Sequence, residues 1–303
     1  FSLNAQIIDS SSWKWSVSGN IGVNRNEISD LGLLPADFGC LGERVGYYGN
    51  SLGDHFGVGH IFLAGEAPGL FYGYVTQGIV QKEDITENGI KYIKQDGSVG
   101  YYQTVNKTTP VAGDVKYVDR NGDGVVDDND RDIIGNPNPD FTYGFQTKVS
   151  WKSLSLSASF NGVQGRDILN VGNRYNNTPG TKSNNVTRKA FQNMWTDENP
   201  SNLYPKSTFV VQNMVMDRYV EDGSYLRCSD ITLSYVLPAK WTNKIGIKNT
   251  SVYASVKNAF VITDYSGYDP EVNSFAFDGL RPGVDMNSYP TPRSFVFGLN
   301  LTF

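Results

Sequence analysis

The chain has 303 residues, of which 39% are hydrophobic, 19% charged and 13% aromatic, and its formal net charge is -5. This acidic balance leaves no basic patch, which argues against nucleic acid as a partner. The mean hydropathy is -0.37, and no apolar run approaches the roughly 18 residues that a transmembrane helix needs, although alternating β-strands can still cross a membrane. The length fits one large all-β domain or two ordinary domains.

Alternating apolar and polar residues predict seven strands along the chain. They are expected at Phe1–Ile7, Trp13–Asn24, Phe141–Trp151, Ser153–Gly162, Tyr225–Leu237, Ser251–Ile262 and Phe295–Phe303. In the fourth, Leu154, Leu156 and Phe160 alternate mostly with serine, so neighbours such as Leu156 and Ser157 should face opposite ways. The fold class predicted from this pattern is all-β and antiparallel.

Alternation alone also fits an antiparallel sandwich with one wet face. Two features favour a transmembrane barrel instead. The polar face is rich in Ser, Asn, Gly, Thr and Gln, which suits a water-filled lumen. Most of the predicted strands also reach about 10 to 13 residues, longer than usual and close to what a tilted membrane strand requires.

The connections between these strands alternate between short and long. Short turns join the first and second strands, the third and fourth, and the fifth and sixth, whereas long loops are expected at about 25–140, 163–224 and 263–292. This asymmetry is typical of outer-membrane barrels, whose long loops lie outside the cell. The chain begins inside a strand, and bacterial single-chain barrels normally have even strand numbers. We therefore interpret residues 1–303 as the C-terminal portion of a larger barrel whose N-terminal strands are missing from it.

One acidic segment within the first long loop predicts a calcium site. Its sequence DRNGDGVVDDND, residues 119–130, follows the spacing of a calcium-binding loop. The expected ligands are Asp119, Asn121, Asp123, Val125 through its carbonyl, Asp127 and Asp130. Position 12 is Asp130 where an EF-hand has Glu, which indicates a weaker site or a different geometry, and the alternative is an acidic turn without metal. We expect Ca²⁺ to order a loop that has no apolar core of its own.

Four further segments resemble the SusC/RagA family of TonB-dependent outer-membrane transporters. They are GDVKYVDRNGDGVVDDNDRDIIGNPNPDFTYGF (113–145), DRYVEDGSYLRCSDITLSYVLP (217–238), NAFVITDYSGYDPEV (258–272) and YPTPRSFVFGLNLTF (289–303). FYGYVTQGIV (71–80) and MWTDENP (194–200) are similar to weaker landmarks of that family. Together these segments extend the resemblance over nearly the whole chain.

This resemblance implies a barrel of about 22 strands with a plugged lumen, in the outer membrane of a Gram-negative bacterium and in contact with its lipid. It also implies a SusD-like surface lipoprotein as partner, an oligosaccharide or peptide as substrate, and energy supplied through TonB. The plug and the TonB-contacting segment belong to the N-terminal part, which this chain lacks.

Other candidate chemistry in the sequence is weaker. His55 and His60 could form a metal pair, but no acid-rich cluster accompanies them. Five loop aromatics could stack on sugar faces, although packing is the favoured role: Tyr47, Tyr48, Tyr101, Tyr102 and Trp195. Cys40 and Cys228 lie 188 residues apart and are interpreted as unbridged, a point that composition cannot settle.

No catalytic constellation is visible, so an enzyme is not expected. The favoured function is active import of an oligomeric nutrient, with a glycan preferred over a peptide. A passive pore or an adhesin built on the same barrel is the alternative, and a secreted β-sandwich with a calcium loop is a third.

Overall fold

The computed structural model describes residues 1–32, 40–41, 44–52, 57–178, 185–207, 214–242, 247 and 249–302. Its largest element is a sheet of seven long strands, here called the wall. The strands are β1 (Ser2–Asp9), β2 (Trp13–Gly22), β3 (Phe141–Trp151), β4 (Leu154–Gln164), β5 (Tyr225–Val236), β6 (Asn249–Thr263) and β7 (Ser294–Thr302). All seven predicted strands are confirmed to within a few residues, although the C-terminal Phe303 lies outside the described residues.

The wall is an antiparallel meander in which each strand pairs with its neighbours along the chain. The order is β1-β2-β3-β4-β5-β6-β7. The register of β3 and β4 is unbroken from Phe141 opposite Gln164 to Trp151 opposite Leu154. Among the described residues, the free edges of β1 and β7 have no strand partner. Because an open sheet edge is not tolerated in hydrocarbon, these two edges are where a closed barrel continues.

The two faces of the wall differ in polarity, as the alternation predicts. One row across the sheet pairs Val149 with Leu156, Leu156 with Leu233 and, further along, Ala254 with Phe297. Leu156 is 47% exposed and Phe297 is 80% exposed. The adjacent row, on the opposite face, pairs Lys148 with Ser157, Ser157 with Thr232, and Thr232 with Ser255. Leu156 and Ser157 therefore lie on opposite faces, and the apolar face is not the core of a sandwich.

Aromatic side chains mark both ends of the apolar face. Next to the short turns, the rings of Trp13 and Trp151 lie 5.9 Å apart. Toward the long loops, Phe160 lies 6.0 Å from Phe145 and 6.3 Å from Phe260. Aromatic residues at two levels with aliphatic residues between them are typical of a wall that spans a bilayer.

The connections alternate between short and long, as predicted. Residues 10–12, 152–153 and 237–248 form the short ones, and residues 23–140, 165–224 and 264–293 form the long ones. The described parts of the long connections are here called the loop assembly. That these loops lie outside the cell stays a prediction.

The loop assembly has its own secondary structure. Its strands are Cys40–Leu41, Arg44–Tyr48, His60–Leu63, Leu70–Tyr74, Thr76–Ile79, Ile85–Thr86, Gly89–Ile93, Val99–Tyr102, Thr104–Val105, Val115–Tyr117, Val125–Val126, Arg131–Gly135, Asp167–Asn170, Val220–Asp222 and Val284–Asp285. Its helices are the 3-10 turns Lys82–Asp84, Asp128–Asp130 and Asp217–Tyr219 and the α-helices Val171–Asn177 and Arg188–Asn193, while the α-helix Ala239–Thr242 lies in a short connection. No helix among the described residues is long and apolar enough to cross a membrane.

The prediction that the first long loop has no apolar core is wrong. Phe71, Tyr102, Tyr117 and Val126 are fully or almost fully buried in one cluster. This cluster draws on all three long connections, since Leu169 and Val284 belong to it as well. Short strands far apart in sequence meet there, and single-sequence periodicity does not detect such contacts. The loop assembly is held together as a soluble domain is, by burying apolar side chains.

Candidate functional site in the loop assembly

An ion-paired arginine attaches the loop assembly to the wall. Arg227, on β5, is 5% exposed, and its guanidinium donates to Asp269 Oδ1 at 2.5 Å and lies 3.3 Å from Glu271 Oε2. Glu271 also accepts from the Tyr225 hydroxyl at 2.7 Å and from Asn161 Nδ2 at 3.0 Å.

These contacts identify the enclosed face of the wall. Asn161 lies on the same face of β4 as Ser157, because the two are separated by an even number of residues. The loop 264–293 thus covers the polar face at the end with the long connections, so the polar face is the lumen side and the apolar face with Leu156 looks outward.

Two adjoining cavities of about 360 and 480 Å³ form a continuous cleft beside this junction. Both are lined by Asn173, Asn177, Lys189, Tyr204 and Arg218. Asn170, Asn176, Asn202 and Asn287 add further amide side chains, and Tyr268 stands at the lip with 71% of its surface exposed. We call this feature the asparagine cleft.

Local structure fixes the amides of the cleft. Asn173 and Asn177 lie four residues apart on the helix Val171–Asn177, on one face of it, and the Asn177 amide donates to Asn173 Oδ1 at 2.7 Å. The Thr187 hydroxyl caps the next helix by accepting from Ala190 N and donates to Asn177 Oδ1 at 2.7 Å. Side chains tied to one another in this way form a preorganised polar surface.

The one carboxylate that lines the cleft accepts hydrogen bonds from neighbouring residues. Glu221 Oε1 accepts from Asn170 Nδ2 at 3.0 Å and from the Ser266 hydroxyl at 2.9 Å, and Asn173 also donates to it. Its Oε2 accepts from Ser266 N at 2.8 Å. Glu221 therefore connects two of the long connections through hydrogen bonds. Most of its hydrogen-bonding capacity is used in this way.

Sequence reasoning missed the asparagine cleft. Its residues come from distant segments, 76–78, 170–178, 187–189, 202–205, 218–221, 266–268 and 287. The density of asparagine in VGNRYNNT, residues 171–178, was the one signal available.

In the predicted calcium loop, two aspartates accept hydrogen bonds from backbone N–H groups. Asp119 Oδ1 accepts from Gly122 N at 2.6 Å and its Oδ2 from Gly124 N at 2.8 Å. Both glycines have φ values in the left-handed region, +76° and +87°. Asp130 accepts from Arg120 N at 2.7 Å and from Asp127 N at 2.8 Å.

Both of these carboxylates are buried, and no described lysine or arginine forms a salt bridge with either of them. Asp119 is 2% exposed and Asp130 is fully buried, while the side chain of Arg120 is paired with Asp132 instead. Burial, opposed by its backbone hydrogen bonds and reinforced by the charge of Asp119, raises the pKa of Asp130. Burial, with the charges of Asp119 and Asp130, raises the pKa of Tyr92 to about 12. Backbone N–H groups partly compensate both carboxylates, and two buried carboxylates close together can also accept a cation.

The remaining predicted ligands do not converge on that pair. The Asn121 side chain donates to Asp123 Oδ2 and accepts from Asp123 N, and Asp127 caps Asn129 N at 2.9 Å. In the part of the chain that the structure describes, no group of three His, Cys, Asp or Glu side chains is placed to hold a metal. The calcium site stays a prediction, in which Asp119 and Asp130 fit a cation and Val125 would supply its carbonyl.

The other aromatic candidates serve packing. Tyr102 is fully buried and Trp195 is 8% exposed, with its Nε1 donating to Gln81. Tyr48 stacks on Tyr72 at 5.7 Å and Tyr47 packs on Phe62, whereas Tyr101 is partly exposed.

The histidine and cysteine candidates have separate outcomes. His60 is buried, with its Nε2 2.9 Å from the carbonyl oxygen of Pro282, and His55 lies outside the described residues. Cys228 is a free, buried thiol, and the side chain of Cys40 is not described.

Comparisons with known proteins cover the whole chain. No protein-family model matches it. It is 30% identical over 312 residues to a TonB-dependent receptor of Formosa agariphila, and 30% identical over 312 residues to the TonB-dependent receptor SusC of Bacteroides thetaiotaomicron. Both matches cover the whole of this chain. The chain in turn spans only 28% and 26% of the length of the two relatives.

A solved structure shares the fold. The structure of the RagAB peptide transporter superimposes with a TM-score of 0.67 at 24% identity, over all of this chain and 28% of the matched chain.

The wall with its outward apolar face defines the class of protein as an outer-membrane β-barrel. Within that class, the resemblance to the SusC/RagA family of TonB-dependent transporters is confirmed over the length of this chain. The predicted all-β barrel fold and the location in the outer membrane of a Gram-negative bacterium are confirmed with it.

Proposed function

We propose that this chain is part of the barrel of an active importer that takes up an oligomeric nutrient across the outer membrane. The observation that carries the proposal is the wall itself, polar on the lumen side and apolar outside, in a chain homologous throughout to TonB-dependent receptors. The lumen provides the route, TonB supplies the energy through an N-terminal part, and a SusD-like lipoprotein covers the loop assembly.

A glycan is the favoured substrate, with a peptide as the second candidate. The lining of the asparagine cleft supports a glycan, because amides, hydroxyls and an exposed tyrosine match the hydroxyl groups and apolar ring faces of sugars. A peptide stays the second candidate because the RagAB peptide transporter shares the fold.

Uptake measurements separate the importer from a passive pore or an adhesin. Cells that carry the full-length gene should accumulate a labelled oligosaccharide, and deletion of TonB should abolish that uptake. Uptake that persists without TonB would indicate a passive pore, and surface binding without uptake an adhesin.

A pull-down from native membranes tests the partner. The full-length protein should recover a SusD-like lipoprotein in near-equal amount under mild detergent. Recovery of the barrel alone would contradict the proposal that a SusD-like lipoprotein covers the loop assembly.

We further propose that the segment Asp119–Asp130 binds Ca²⁺, with Asp119 and Asp130 as the buried carboxylates and Asn121, Asp123, Val125 and Asp127 completing the set. Its two buried carboxylates support this, since neither forms a salt bridge within the part of the chain that the structure describes. Calorimetry on the full-length protein should show a calcium-dependent heat that Asp123→Ala weakens and the distant, exposed Asp264→Ala leaves unchanged. A wild-type site that stays empty at millimolar calcium in anomalous scattering would contradict the proposal.

A further inference from the structure

Among the described residues, three charged side chains line the asparagine cleft, the two cations Lys189 and Arg218 and the carboxylate of Glu221. Lys189 and Arg218 line both cavities. Neither forms a salt bridge with a described carboxylate. Arg218 donates to the Leu203 carbonyl at 2.5 Å, which orients its guanidinium without neutralising it.

The nearby acids keep their negative charge, but they are held by neutral donors rather than by Lys189 or Arg218. Glu221 is held by Asn170, Asn173 and Ser266 as described above. Asp217, next to Arg218 in sequence, instead accepts from the backbone N–H and the hydroxyl of Thr76 at 3.0 and 2.6 Å. A concave site concentrates the field of its charges, and the lining of this cleft carries two cations against the one carboxylate of Glu221.

Few apolar side chains line the cleft. Leu203 and Pro205 are aliphatic, and the tyrosines carry a polar tip. A peptide ligand gains much of its affinity from apolar pockets for alternate side chains, which this lining does not provide. Tyr268 instead offers an exposed ring at the lip, beside amides that can both donate and accept hydrogen bonds.

We propose that the asparagine cleft binds an anionic oligosaccharide, one that carries carboxylate or sulfate groups, with Lys189 and Arg218 holding the anionic groups and the asparagines holding the hydroxyls. Arg218 would engage an anionic group through its planar fork and Lys189 as a point charge. This inference rests on the proposed import function and specifies its substrate class.

The test is binding by the full-length receptor in detergent, measured by calorimetry. The probes are hexasaccharides of galacturonate, mannuronate and sulfated chondroitin, neutral hexasaccharides of glucose, xylose and mannose, and hexaglutamate. At least one acidic saccharide should bind, and raising the salt from about 0.05 to about 0.5 M should weaken it because the attraction is screened.

Matched variants assign the charge. Lys189→Gln should weaken binding of the acidic saccharide about tenfold, which corresponds to about 1.4 kcal/mol. Lys189→Arg should restore most of the affinity. Arg218→Gln should weaken it at least as much, and Arg218→Lys less. Lys91→Gln removes an exposed lysine outside the cleft and should change nothing.

The outcomes separate this inference from the proposed function. Tighter binding of a neutral saccharide, unaffected by Lys189→Gln, overturns the anionic class but leaves glycan import standing if TonB-dependent uptake is observed. Preferential binding of hexaglutamate would overturn the inference that the ligand is a saccharide and would favour a peptide. Failure of every acidic probe to bind overturns the inference, and only loss of TonB-dependent uptake removes the proposed function as well.

Discussion

The wall and the loop assembly place apolar residues in opposite ways. In the wall, Leu156 and Phe297 point away from the protein, while the opposite face of the sheet holds Ser157 and Thr232. In the loop assembly, Phe71 and similar side chains are fully buried inside the protein. One chain obeys both patterns because the hydrophobic effect depends on the surroundings of each segment. Hydrocarbon surrounds the wall, whereas water surrounds the loops.

The two regions meet at a few polar contacts. Arg227 on the wall binds Asp269 and Glu271 on the third long connection. A buried ion pair of this kind fixes orientation more than it adds stability, since both charges lose their hydration. The junction is therefore the place where the two regions can be uncoupled.

The largest effect is expected from breaking that junction. Arg227→Met should destabilise the docked loop by about 3 to 5 kcal/mol, because it leaves the buried carboxylate of Asp269 unpaired. Hydrogen exchange and limited proteolysis across residues 264–293 measure the change, with the exposed Arg293→Met as control. Adding Asp269→Asn should recover part of the loss, and equal protection in Arg227→Met and wild type would refute the junction.

Truncation within the loop core tests whether the loops follow the rules of soluble proteins. Phe71→Ala should cost about 3 to 5 kcal/mol, since it removes a fully buried ring and leaves a cavity. Phe191, 64% exposed in the same assembly, provides the control, and Phe191→Ala should stay within about 0.5 kcal/mol. Hydrogen exchange of residues 60–74 reports the difference, and similar effects of the two variants would mean that the loops lack a core.

Opposite faces of one strand test the wall. Leu156→Arg should cost about 2 to 4 kcal/mol in the bilayer, because the charge enters hydrocarbon, whereas Ser157→Arg should cost much less on the lumen side. Unfolding of the full-length protein in liposomes measures both variants, and equal costs would contradict the assignment of the faces.

Cysteine labelling adds a direct readout of the same prediction. With Cys40 and Cys228 changed to Ser, Leu156→Cys should react with a bilayer-soluble maleimide and resist a charged one. Ser157→Cys should be reached by the charged reagent only through the lumen. Free reaction of Leu156→Cys with the charged reagent in intact membranes would show that this strand does not face lipid.

The smallest effect is a pH dependence confined to the loop assembly. Burial lowers the pKa of His60 to about 4 from its usual 6.5, partly offset by the hydrogen bond to the Pro282 carbonyl. Because the unfolded chain binds this proton more readily, the stabilising contribution of neutral His60 is complete above pH 6.5 and is lost as the pH falls toward 4. The loss should reach up to about 3 kcal/mol.

Hydrogen exchange of the loop assembly at several pH values checks this dependence. His60→Gln should flatten the slope between pH 6.5 and 4, whatever its effect on stability at neutral pH. His55, the only other histidine of the chain, provides the control. If His55→Gln removes the slope instead, the assignment to His60 is wrong.

The predictions from sequence succeeded where local pattern decides the structure. Strand β3 was predicted with its observed bounds because apolar residues alternate from Phe141 to Trp151 with one exception, Thr147. The calcium loop stays a prediction, although Asp119 accepts a hydrogen bond from Gly124 N, and Asp130 from Arg120 N, within this short segment. The expectation of a coreless loop failed because its short strands carry no strong period of their own.

The sequence by itself determined the wall: its strands, its two faces and the alternation of short and long connections. These follow from a period of two and from turn lengths, which are local properties that survive without knowledge of the partners. Only the tertiary structure decided that the long loops share one buried core, that Arg227 ties them to the lumen face, and that the asparagine cleft exists. Those features join residues far apart in sequence, from Arg227 and Asp269, 42 positions apart, to Asn176 and Asn287, 111 positions apart. Contacts of that range depend on how the whole chain closes and have no signature in any short window.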